Sequence, residues 1–132
     1  MVDDKRMAFS IVNLTRRNLP VSELRFSKIK KEILGESYDL SLVFIGKKRS
    51  RTLNEKYRQK NSDTNILSFP LDQKNGEIFL TLDKIEKEIS KFEMPLNRLI
   101  IFLFIHGCLH LKGFVHGEKM EKEETRLLEK FK

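Results

Sequence analysis

The chain is poor in several things, and each shortage excludes something. It carries one cysteine, Cys108, in 132 residues. No internal disulfide can form, and a reducing compartment suits such a protein, so a cytoplasmic location is expected. The longest apolar run, Leu99 to Ile105, is far too short to cross a bilayer. The first residues, with Asp3, Asp4, Lys5 and Arg6, hold no apolar stretch before a small-residue cleavage site, so no secretion signal is expected. Met7 is an alternative start, since the first patterned segment begins just after it. There are no repeats and no low-complexity segments. Only three histidines occur, and all of them fall between His106 and His116.

What is present describes one domain, residues 1–132, long enough to bury a core. Hydrophobic residues make up 39% and charged residues 34%, ordinary values for a well-solvated fold. The formal charge of +7 is unevenly spread. Lys47, Lys48, Arg49, Arg51, Lys56, Arg58 and Lys60 stand against Glu55 alone, a net of +6 in one short stretch. Arg16 to Glu32 adds a net of +4, whereas Asn61 to Leu96 is negative. Clustered positive charge is the footprint of a polyanion, most often a nucleic acid. A membrane surface is the rival partner, but no basic amphipathic helix with exposed aromatics supports it.

The histidines carry the chemistry. On a helix, His106 and His110 share one face, one turn apart. His116 would fall roughly 240° further around, on the wrong side, if the helix continued. Gly113 allows a left-handed stop that folds the next residues back. Two ligands on a helix and a third on the following loop result. Three neutral imidazoles suit zinc, and three protein ligands leave a fourth position for water, the layout of a catalytic rather than a structural site. Gly107 stands where a zincin would place its glutamate base, so this is not that motif. Cys108 falls about 200° from His106 and reads as core.

Around this centre the pattern gives a strand over Ala8 to Leu14 and a helix opened by Pro20 and stopped by Gly35. A second strand covers Tyr38 to Ile45. The basic segment Lys47 to Tyr57 reads as a helix, with Leu53 and Tyr57 on one face and Arg58 at its end. Ile66 to Phe69 is a short strand ended by Pro70, with a turn at Gln73 to Gly76 and a returning strand to Thr81. Asp83 reads as the N-cap of a helix running to about Phe92, with Glu86 completing a capping box. Pro95 opens the long apolar helix that holds His106 and His110, and a charged helix spans Glu118 to Phe131. The expected fold is α+β: a four-stranded mixed sheet with helices packed on it and the histidine helix buried at its centre.

Two blocks of this sequence resemble the YbeY family of bacterial metal-dependent endoribonucleases. The family's His-Gly-x-Leu-His-Leu-x-Gly-Tyr-Asp-His corresponds to His106-Gly107-Cys108-Leu109-His110-Leu111-Lys112-Gly113-Phe114-Val115-His116. Its Leu-Asn-x-x-Tyr-Arg-x-Lys block corresponds to Leu53, Asn54, Tyr57, Arg58 and Lys60 and runs on to Leu67-Ser68-Phe69. Gly76-Glu77-Ile78 matches a third, shorter block. The departures are Val115 for aspartate, Phe114 for tyrosine, Asn61 for aspartate, Asp63 for proline and Asn65 for aspartate. Loss of an aspartate beside the third histidine would remove a supporting partner and lower metal affinity.

The resemblance implies one zinc ion on His106, His110 and His116, with His106 and Arg58 carrying the catalysis. It implies single-stranded RNA as substrate, ribosomal RNA and the ribosome as partners, and roles in 16S rRNA 3′-end maturation, ribosome biogenesis and ribosome quality control. Lys47, Lys48, Arg49, Arg51 and Arg58 would hold the RNA backbone. Water or the RNA's own 2′-hydroxyl could serve as nucleophile; the sequence leaves both open. Two rival readings stand beside this one. One is a hydrolase of another phosphoester or of an amide. The other is an RNA-binding assembly module whose metal merely ties the C-terminal helices to the sheet.

Overall fold

The structure, a computed structural model, describes residues 8–60 and 62–132. Met7, the alternative start, and Asn61, one of the departures noted above, lie outside the described residues. Among the described residues, four strands and six helices follow one another as β1 (Phe9–Asn13), α1 (Glu23–Leu34), β2 (Asp39–Ile45), α2 (Lys47–Arg58), β3 (Ile66–Asp72), β4 (Asn75–Thr81), α3 (Leu82–Lys87), α4 (Ile89–Phe92), α5 (Leu96–Lys112) and α6 (Glu118–Lys130). The sheet order is β1-β2-β4-β3. β1 and β4 both run parallel to β2, and β3 pairs antiparallel with β4, so the mixed α+β sheet expected from the sequence is the one observed.

Alternation along the strands sorts side chains to two faces. Leu40, Leu42, Phe44, Ile78 and Leu80 are fully buried on the face that carries α1 and α5. Phe26 of α1 lies between Phe44 and Phe104, with ring centroids 5.8 and 5.0 Å away. α5 is apolar nearly all round, as a helix enclosed by a sheet, α1 and α6 must be. Gly107 faces the side chains of β3 and β4 at close range. A Cβ there would meet Ile66 Cδ1 at 2.9 Å and Ile78 Cδ1 at 3.0 Å. The glycine of the histidine motif is thus a packing requirement.

Several boundaries differ from the expectation, each for a physical reason. α1 starts at Glu23 rather than Pro20, because the Ser22 hydroxyl accepts the Arg25 N–H and caps it. β3 continues through Pro70 to Asp72; it is an edge strand, where a missing N–H costs little, and its register shifts between Pro70 and Asp72. The helix expected from Asp83 to Phe92 is two, broken at Glu88, and Asp83 is not its cap. Its carboxylate instead accepts the Lys47 N–H at the start of α2, while Glu86 pairs with Arg17. On α2 the fully buried positions are the polar Ser50 and Asn54, while Leu53 is half-buried and Tyr57 is 57% exposed.

Candidate metal centre and RNA cleft

α5 delivers two histidines, and its end delivers the third. Gly113 stops the helix with φ of 112°, a left-handed conformation that glycine adopts without strain. Its N–H donates to His110 O at 3.0 Å and the Phe114 N–H reaches Leu109 O at 2.9 Å, which turns the chain back over the last turn. His116 returns to the face of His106 and His110, and one nitrogen from each of the three rings lies within 4.8 Å of the others.

The hydrogen bonds fix which nitrogens converge. His110 Nδ1 is 3.1 Å from Phe114 O, and a carbonyl can only accept, so Nδ1 carries the proton. His106 Nδ1 lies 2.5 Å from Glu124 Oε2, a carboxylate 93% buried on α6, and is protonated for the same reason. The Nε2 atoms therefore present lone pairs, and they stand 3.1 Å apart. Two such lone pairs repel unless a cation lies between them. At zinc–nitrogen bonds of about 2.05 Å, a tetrahedral site sets neighbouring nitrogens about 3.3 Å apart, close to this spacing. The donor set suits a metal ion of the zinc type, and the His106–His110 spacing matches the tetrahedral value. Burial, and then the neighbouring His106, hold His110 below its ordinary pKa and so in the neutral form that coordinates.

Glu124 was not singled out by the sequence. Its charge looks like one more in a charged helix, and only its spacing to Met120, Leu127 and Leu128, the buried stripe of α6, could have marked it. Val115 is 78% exposed and lends nothing to the centre. Support for His106 and His110 comes from Glu124 and from the Phe114 carbonyl instead.

A cavity of about 470 Å³ opens beside the three histidines, lined also by Arg58, Thr64, Ser68 and Phe69. Arg58 reaches it because α2 is clamped to the loop before β3. The Ser50 hydroxyl donates to Thr64 O at 3.1 Å and accepts the Thr64 N–H at 3.0 Å; Asn54 Nδ2 donates to Ser62 O at 2.8 Å. The other basic residues do not line it. Lys48 and Arg49 border a separate hollow with Leu14, Leu53 and Phe79, Arg51 is exposed, and Lys47 begins the helix roughly 16 Å from Arg58.

An α+β fold built around three histidines placed to hold a metal ion is the class that fold and site define. The family model for endoribonuclease YbeY matches residues 8–132. Endoribonuclease YbeY of Phytoplasma mali (strain AT) is 35% identical over 109 residues, 78% of this chain and 74% of that protein. Its counterpart in Buchnera aphidicola subsp. Schizaphis graminum is 34% identical, covering 86% and 77%. The chain belongs to the endoribonuclease YbeY family. A solution structure of a Thermotoga maritima protein shares the fold, with a TM-score of 0.65 over 93% of this chain and 88% of that one at 20% identity.

Proposed function

We propose that this protein is a zinc-dependent endoribonuclease that cuts single-stranded RNA, acting in the cytoplasm in 16S rRNA 3′-end maturation, ribosome biogenesis and ribosome quality control. The observation that supports it most is the meeting of Arg58 with His106, His110 and His116 around one cavity. His106, His110 and His116 would hold a zinc ion, which when bound would supply Lewis acidity toward a phosphoryl oxygen or water. Arg58 binds a phosphate oxygen in bidentate fashion and offsets the negative charge that grows as the phosphodiester is attacked. Glu124 keeps the His106 ring turned so that Nε2 faces the centre. The exposed cations of α2 hold backbone further from the cut. A phosphate-binding arginine beside the histidines favours this reading over an amide substrate. No helix is long and apolar enough to cross a membrane among the described residues.

The test is cleavage of an RNA bearing one unpaired and one duplex segment, with His106→Ala and Arg58→Ala prepared identically. Cleavage confined to the unpaired segment, stopped by a chelator and lost in both variants, is the expected result. Equal cleavage by all three proteins would mean a contaminant. No cleavage by zinc-loaded wild type would favour the assembly-module reading.

A further inference from the structure

A second cavity, of about 300 Å³, opens on the far side of the same centre. It shares Ile66, His106 and His116 with the Arg58 cavity, so the histidines form the wall between two hollows. The two differ in chemistry. The Arg58 hollow suits phosphate. The other offers apolar walls from Phe92, Phe102 and Met120, with Phe102 and Phe92 ring centroids 6.2 Å apart, and its polar groups are Asn65, Glu121 and Glu124. Acceptors predominate among them. Glu121 and Glu124 are carboxylates, with Glu124 Oε2 already accepting from His106 Nδ1; the Asn65 amide gives one N–H to Glu88 Oε1 at 2.8 Å and keeps its carbonyl oxygen and a second N–H.

A phosphate would be repelled from such a hollow, whereas a nucleobase matches it: apolar on both faces and polar at its edge. Cleavage within a chain needs room for a nucleotide on each side of the scissile bond, and this cavity supplies the side that Arg58 does not. We propose that it is a nucleobase subsite, receiving one unpaired base next to the cut and preferring a base with an exocyclic amine. Adenine, cytosine and guanine each offer N–H donors from that amine to the acceptors. Uracil has no amine, and its one imide N–H lies between two carbonyls that the acceptors repel. A paired base would have to give up its pairing and stacking to enter, so the subsite supplies a physical basis for preferring single strands. This inference rests on RNA being the substrate of the proposed enzyme.

The chain has no tryptophan, so Phe102→Trp places a unique fluorophore in the cavity wall. The zinc-loaded full chain carrying this change together with Arg58→Ala, which blocks cleavage, is titrated with uridine heptanucleotides carrying one central adenosine or one central uridine, and with a duplex. Saturable quenching by the adenosine oligonucleotide, roughly tenfold weaker by the all-uridine one and absent with the duplex, is expected. Glu121→Leu, at an exposed position, should shrink the adenosine-to-uridine ratio in the same assay even as loss of a negative charge raises affinity overall. Equal quenching by adenosine and uridine oligonucleotides, or quenching by none, overturns the proposal. Because no cleavage is measured, a failed nuclease reading leaves this result intact, and a failed subsite leaves the nuclease test intact.

Discussion

Glu124 and His106 are 18 residues apart and on different helices, yet the carboxylate oxygen and the ring nitrogen are 2.5 Å apart. That contact orients the His106 ring from α6 and couples the last helix to the three-histidine cluster. Glu124→Gln retains an oxygen acceptor but loses the charge, and Glu124→Ala leaves the ring free to turn. Zinc affinity measured by chelator competition should fall about 10–100-fold in the alanine variant and less in the glutamine one. Unchanged affinity in both would remove the orienting role.

Arg58 should matter to rate and not to metal content. Arg58→Ala is expected to lower kcat/KM for RNA cleavage by at least about 100-fold, with one zinc per chain retained by elemental analysis. Arg58→Lys should recover little of it, because a single ammonium cannot reproduce a two-pronged contact. A variant that lost both zinc and activity would point to a structural arginine.

Gly107→Ala tests why a glycine follows the first histidine. The added methyl meets Ile66 and Ile78 at about van der Waals overlap, so α5 must lift from the sheet or the isoleucines must repack. A loss of about 1–3 kcal/mol in denaturant unfolding is expected, with zinc binding weakened because His106 moves with the helix. A wild-type midpoint would show that the approach is looser than the distances imply.

Asn54 holds the loop that brings Arg58 and Thr64 to the cavity. Asn54→Ala should cost about 1 kcal/mol in stability but reduce cleavage by more than that loss explains, since the Ser62 carbonyl loses its donor and the loop its position. Activity that merely tracks the folded fraction would reduce Asn54 to a packing residue.

Two groups give pH and chemical handles. His110 has a folded pKa below its unfolded value, so the unfolded chain binds the extra proton first as pH falls. Its contribution to the stability of the metal-free protein is present above about pH 6.5 and lost below, as urea midpoints across that range should record. Burial pushes the Cys108 thiol far above its ordinary range. It should react with a thiol reagent only at the rate of unfolding, and fast labelling in native conditions would contradict its place in the core.

The local spacing of histidines and glycine was enough to place two histidines on one helical face and the third on a turn, because 3.6-residue periodicity and a left-handed stop are local properties. The order of strands and helices was legible for the same reason. The inner face of α2 was not, since periodicity marks apolar positions and this helix docks through Ser50 and Asn54, polar groups whose partners come later in the chain. Asp83 read as a cap for its own helix, and only the packing of α3 beside α2 turned it to Lys47. Whether Arg58 faced the histidines, and that Glu124 stood behind His106, were decided by tertiary structure alone. A contact between distant segments depends on how the sheet and helices stack, and no window of the sequence carries that distance.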